Sequence, residues 1–197
     1  MAIIVDKEQK RKDIALSCKD LFISKGIKNL TIAQIATEAG VGKGTIYDYF
    51  KNKEDIVFEI VHILMDEHNA IKEQRINEAK STKAKIKIFF DFFYNPQKAE
   101  LREIFKEFVS ISLTHPSEDI QEFLQEGCDR YYGWFRAILQ EGIDRGEINP
   151  IAIDLARGPF ALGDGLFLSH AMTNRIDIEA EVNLHIDTLF QLIEVRP

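Results

Sequence analysis

An all-α fold of about nine helices, with a small three-helix domain ahead of a larger helical one, is what three features of this sequence predict. Apolar residues recur three and four apart along almost the whole chain of 197 residues. No segment alternates apolar and polar residues, as a half-buried strand would, for more than a few positions. Glycine and proline breaks at Gly26, Gly40-Val41-Gly42, Asn95-Pro96, His115-Pro116-Ser117, Gly146 and Asn149-Pro150 cut the chain into helix-sized pieces.

A first helix is expected from Lys7 to Lys25, with Ile14, Cys18, Leu21 and Phe22 as its inner stripe and Gly26 as its stop. Thr31 with Gln34 three residues on is a capping-box signature. Ile32, Ile35, Ala36 and Ala39 then line one side of a short second helix. Gly40-Val41-Gly42 turns the chain, because glycine reaches the positive-φ geometry of a helix end at little steric cost. A third short helix runs from about Lys43 to Phe50, with Ile46 and Phe50 pointing inward. Asn52 and Asp55 open a long fourth helix with the stripe Ile56, Ile60, Ile63 and Leu64. The soft domain boundary falls near Lys53, dividing residues 1–53 from 54–197. Beyond it, helices are expected over Ser81–Tyr94, from Pro96 onward, from Ser117 to about Arg145, from Asn149-Pro150 to about Met172, and from Asp177 to Glu194.

Two short helices joined by a glycine-containing turn form a helix-turn-helix, whose second helix fits the major groove of duplex DNA. On that second helix Lys43, Thr45, Tyr47, Asp48 and Tyr49 divide the exposed faces. Lysine reaches guanine edges or phosphate, threonine a thymine methyl or phosphate, and a tyrosine hydroxyl commonly bonds phosphate. The plain alternative is that the tyrosines plug the small core, and for Phe50 that reading is preferred. The charge distribution fits a DNA-binding head. Net charge is −7, yet residues 1–53 hold 10 Lys and Arg against 6 Asp and Glu, whereas the rest hold 15 against 26. A basic head on an acidic body confines phosphate contact to the head. Lys10, Arg11 and Lys12 either reach the DNA backbone or form solvated surface.

The stretch AGVGKGTIYDYFKNKEDI closely resembles the helix-turn-helix signature of the TetR/AcrR family of bacterial transcriptional regulators. The match runs residue by residue from Thr31 to Ile56, and more loosely over the whole length. The resemblance implies a DNA-binding domain followed by a ligand-binding and dimerisation domain, and places Thr31, Lys43, Gly44, Thr45, Tyr47, Tyr49 and Lys53 on the DNA side. In one place the sequence departs from the family pattern: Gly42 stands where the family commonly has serine, which would cap the recognition helix and touch a phosphate. Glycine is a tolerable N-cap, so the fold is preserved.

The region from Ile86 to Phe135 carries eight of the 14 phenylalanines, with Tyr94, Tyr131, Tyr132 and Trp134 among them. Ligand pockets are largely apolar and aromatic with a few polar groups. The resemblance places an effector site among these helices, and Phe89, Phe93, Phe105, Phe108, Tyr131 and Trp134 are the candidate lining for an apolar or aromatic effector. Plain core is the competing role for any one phenylalanine. Asp91 among the phenylalanines either faces solvent or marks a polar spot, and His115 and His170 are further polar candidates. ALGDGLFL and the last helix resemble the family's two-fold four-helix seam. They nominate Phe160, Gly163, Leu166, Phe167, Leu189 and Phe190 for a homodimer interface, against the alternative of ordinary intramolecular packing.

The function these features imply is a ligand-responsive regulator, most simply a repressor, that binds a palindromic operator as a homodimer and is released by a small effector. The alternative is a DNA-binding protein of the same fold without a small-molecule effector, controlled by a protein partner. An enzyme is not expected. There is no HExxH, GxSxG, P-loop or Rossmann glycine pattern, and His62, His68, His115, His170 and His185 are scattered. No cofactor or metal site is implied. Cys18 and Cys128 show no metal or redox spacing, and no signal-peptide pattern or membrane-length apolar run appears. A cytoplasmic protein is expected.

Overall fold

A computed structural model describes residues 7–195. Among these the α-helices are α1 (Lys7–Ser17), α2 (Lys19–Lys25), α3 (Ile32–Glu38), α4 (Lys43–Tyr49), α5 (Lys53–Glu78), α6 (Thr82–Phe90), α7 (Ala99–Thr114), α8 (Glu118–Asp144), α9 (Arg157–Thr173) and α10 (Ile178–Ile193). Four short 3-10 turns join them. The only β pairing among the described residues is an isolated antiparallel bridge between Ile148 and Glu194. The chain folds as two compact units: one runs to His68 and includes Glu100–Ile120, and the other comprises Asn69–Ala99 and everything from Gln121.

Local chemistry accounts for where the elements begin and end. The first predicted helix is interrupted at Cys18, so α1 and α2 are successive segments of it. Ser17 Oγ bonds back to the Ile14 carbonyl at 2.8 Å, and Cys18 N bonds Ala15 O at 3.1 Å. This is the local competition by which serine disturbs a helix. Asn52 Oδ1 accepts from Asp55 N at 2.8 Å at the start of α5. Asp177 caps α10 by accepting from Ala180 N at 3.0 Å. After Asn149 the chain makes a 3-10 turn, Pro150–Ile153, instead of the expected immediate helix, because Asn149 Oδ1 accepts from Ile151 N at 3.0 Å and three-residue bonds follow. The helix proper begins only at Arg157.

The first unit is built around Ile14, Cys18, Phe22, Ile35, Ile46, Phe50, Ile56, Ile60 and Phe108, all buried. Burying such side chains contributes roughly 1.5–3 kcal/mol each before entropy is counted. In the second unit Ile86, Phe89, Phe90, Phe135, Leu139, Ile148, Ile186 and Phe190 form one apolar core. Helix α6 is tied to α8 there by Lys85, which is buried and bonds Glu141 at 2.6 Å. The ammonium beside Glu141 holds that carboxyl below its ordinary range.

Candidate nucleic-acid interface and effector site

The helix-turn-helix lies wholly in the first unit. Thr31 Oγ1 accepts from Gln34 N at 3.4 Å and Gln34 Oε1 accepts from Thr31 N at 3.0 Å, the reciprocal pair that fixes the start of α3. Gly40 has φ +64, a left-handed value that suits glycine, and Val41 N bonds Ala36 O at 2.9 Å to close the helix end. Gly42 is extended and gives α4 no side-chain cap. Ile46 and Phe50 anchor α4 in the core, while Thr31, Lys43, Gly44, Tyr47 and Asp48 are exposed and Thr45 and Tyr49 half-buried. Tyr47 is 60% exposed, so the core-plug alternative does not hold for it. Gly44 faces open space.

Two basic residues turn inward. Lys53 donates its ammonium to the carbonyls of Ile27 at 2.7 Å and Leu30 at 3.2 Å, with Lys28 O at 3.5 Å. These carbonyls lie at the end of a 3-10 turn, where Ile27 O also accepts from Leu30 N at 3.2 Å, and a lysine tip satisfies their remaining acceptor capacity. Lys53 therefore stands apart from the exposed residues of α4 with which the sequence grouped it. Arg11 joins three elements. Its guanidinium lies 4.3 Å from the centre of the Phe50 ring, its Nε donates to Glu59 Oε2 at 2.7 Å, and another nitrogen donates to the Tyr49 carbonyl. Glu59 sits on the buried side of α5, and sequence reading missed it because it interrupts an otherwise apolar stripe.

The six candidate effector residues divide between the units. Phe105 and Phe108 belong to the first, with ring centres 6.2 Å apart and Phe58 6.3 Å from Phe108. Phe89, Phe93, Tyr131 and Trp134 belong to the second. There Phe89 meets Tyr131 at 6.1 Å, Tyr131 meets Trp134 at 6.2 Å, and Phe93 packs on Phe90 at 6.3 Å. Polar groups are set among these rings. The Tyr131 hydroxyl donates to Asn69 Oδ1 at 2.5 Å. Asp91 is buried and hydrogen-bonded by Arg75, which resolves its solvent-or-interior ambiguity in favour of the interior. Lys72 is buried with its ammonium facing Phe89, Phe92 and Tyr131. Burial pushes the Lys72 pKa down to about 8, opposed by the charge of Asp91. Asn69 and Lys72 could have been found by continuing the three-and-four spacing of α5 back from Ile76, but both are residue types normally assigned to the surface. His115 is exposed beside Thr114, and His170 bonds the Ile176 carbonyl at 2.7 Å. Among the described residues no three His, Cys, Asp or Glu side chains gather as metal ligands, and no helix is long and apolar enough to cross a membrane.

The nominated dimer residues also divide. Leu166 and Leu189 line an open apolar groove of about 600 Å³ along α9 and α10, with Leu155, Leu162, Gly165 and His185. Gly163, Phe167 and Phe190 face the core: Phe167 lies 6.2 Å from Phe93, and Gly163 backs directly onto the Phe90 and Phe93 rings. The four-residue step from Gly163 to Phe167 puts them on one side of the helix, and the step from Leu162 to Leu166 runs along a neighbouring face about 100° round from it. The side chain of Phe160 lies outside the described residues.

Residues 18–60 match the family model for bacterial regulatory proteins of the tetR family. The HTH-type transcriptional regulator BetI 1 of Chromohalobacter salexigens is 28% identical over 182 residues, covering 90% of this chain and 87% of that protein. The transcriptional regulator FadR of Bacillus subtilis, solved with stearoyl-CoA, superposes with a TM-score of 0.64 at 25% identity, over 90% of this chain and 96% of its own. A putative transcriptional regulator from Saccharomonospora viridis, solved with choline, reaches a TM-score of 0.78 at 19% identity over 96% and 100% of the two chains. Residues 18–60 thus carry the DNA-binding domain of the tetR family of bacterial regulatory proteins, with its helix-turn-helix intact in sequence and geometry, and transcriptional regulators match most of the chain's length.

Proposed function

We propose that this protein is a cytoplasmic homodimeric repressor that binds a palindromic operator through α4 and is released by a small, largely apolar effector. Residues 1–53 serve as the DNA-binding head and residues 54–197 as the ligand-binding and dimerisation domain. The observation that carries the DNA reading is the outward face of α4, where Lys43, Gly44 and Tyr47 are exposed while Ile46 and Phe50 hold the helix in place. Thr31, Thr45 and Tyr49 flank that face. The open groove on α9 and α10 supports self-association: its lining is almost wholly apolar, and Met172, Leu184 and Leu192 lie exposed on the same two helices. Two copies joined there by a two-fold axis read two half-sites, hence the palindrome. The aromatic interior of the second unit, and the ligands held by the FadR and S. viridis structures, support an effector. Release follows to the extent that the effector prefers the arrangement that does not bind DNA, and the coupling is reciprocal.

The test is selection from a random duplex pool with the full-length protein at fixed salt. An enriched palindrome establishes the dimeric DNA reader. Recovery of unrelated sequences from a folded protein overturns it.

A further inference from the structure

Lys72 is costly where it stands. It is 4% exposed, and among the described residues its ammonium makes one hydrogen bond, to the Phe89 carbonyl at 3.2 Å. Three rings surround it, Tyr131 at 5.3 Å, Phe89 at 5.4 Å and Phe92 at 6.0 Å from their centres. Ring faces attract a cation, but they do not replace the acceptors that a desolvated ammonium has lost. The acid beside it, Asp91, is hydrogen-bonded by Arg75 and makes no hydrogen bond to Lys72. A methionine would fill the same space without a charge to bury. The cage is built, occupied by the protein's own cation, and short of hydrogen-bond acceptors for it.

Resting on the effector reading above, we propose that Lys72 anchors the anionic end of the effector, and that the site takes an apolar carboxylate. Its oxygens accept from the Lys72 ammonium, and its apolar body lies against the aromatic side chains. Tyr131, the one ring of the three that is only half-buried, marks the side from which the ligand enters. The lowered Lys72 pKa agrees with a cation whose desolvation the charge of Asp91 only partly offsets. The same arrangement rejects a quaternary ammonium, since the position such a cation takes among aromatic rings is filled by a like charge. In this respect the site differs in kind from one built to hold choline.

The experiment measures binding of decanoate, decanol and decyltrimethylammonium, each below its micellar concentration, to the full-length protein and to Lys72→Met and Lys72→Arg, by thermal shift and calorimetry. Decanoate is expected to bind tightest. Lys72→Met should weaken it by about tenfold or more while leaving decanol within about twofold, and Lys72→Arg should keep the carboxylate preference. Lys72→Met without ligand should melt no lower than the parent, which separates loss of the anchor from loss of the fold. Decanoate binding equally well to parent and Lys72→Met, or decyltrimethylammonium binding tighter than decanoate, overturns the assignment alone. Binding of none of the three overturns the small-molecule reading together with it.

Discussion

Gly163 and Gly165 lie two residues apart on α9, and alanine at the two positions should have opposite effects. A Cβ at Gly163 would stand 2.6 Å from Phe93 Cε2, 3.0 Å from Phe93 Cζ and 3.2 Å from Phe90 Cε1. The Phe93 ring cannot simply withdraw, because Phe92 lies 5.4 Å away on one side and Phe167 6.2 Å away on another. Forcing an extra carbon into a packed core costs about 1–3 kcal/mol. Alanine returns roughly 1 kcal/mol through helix propensity, so Gly163→Ala should be destabilised by about 1 kcal/mol net. At Gly165 a Cβ meets nothing within 4 Å, and only the propensity gain remains. The sibling variants should therefore differ by about 2 kcal/mol in urea unfolding. Unfolding must be followed at several protein concentrations, since a dimer's midpoint moves with concentration. That comparison also reads the groove. Gly165 lines it, so its alanine variant should raise the dimer dissociation constant while the subunit fold is unharmed. If Gly163→Ala proves as stable as Gly165→Ala, the assignment of Gly163 to the interior is refuted.

Other outcomes follow from the same geometry. Lys72 has a folded pKa of about 8 against an ordinary 10.5, so between those values the unfolded chain holds a proton that the folded one does not. Stability should therefore rise with pH across that window, by on the order of 3 kcal/mol in full. Asp91, Arg75 and Lys98 set the field there, and Lys72→Met should abolish this component of the slope; parallel profiles for parent and variant would contradict it. Lys53→Met should cost about 1–3 kcal/mol by removing the charged donor from the Ile27 and Leu30 carbonyls and leave the salt dependence of DNA binding unchanged, whereas a slope smaller by about one would show the ammonium on a phosphate. Tyr47→Phe should weaken operator binding with no shift in melting temperature, and a matching loss of stability would return Tyr47 to the core. Arg11→Ala should lose about 2 kcal/mol, the half-exposed arginine moderating the cost of a stranded Glu59. The double variant Arg11→Met with Glu59→Met should recover part of it, and strict additivity of the two changes would show that the pair does not interact.

The fold was legible because helical signals in this chain are local. Thr31 and Gln34, Gly40, Asn52 and Asp177 each act within four residues of themselves, and each stands at the helix end expected of it. Missed boundaries have equally local causes, as with Ser17 bonding back into its own helix and Asn149 favouring a 3-10 turn. The exposed face of α4 was readable too, since Ile46 and Phe50 leave its other positions little choice. What could not be read were the partners of long side chains. Whether Lys53 faces a phosphate or three carbonyls depends on residues more than twenty positions away, and no periodicity reports it. Likewise the aromatic run between Ile86 and Phe135 is continuous in sequence yet distributed over two units, because the chain crosses between them within it.

Helix α4 has only seven residues and no side-chain cap, too short to persist by itself in water. Its form is imposed by Ile46 and Phe50 from beneath, and Lys43, Gly44, Tyr47 and Asp48 on the outside bear almost none of that load. Replacing those outward residues should cost the fold little, so operator preference can drift through single substitutions without passing through unstable intermediates. A lineage of such proteins is free to acquire new DNA targets while keeping one scaffold.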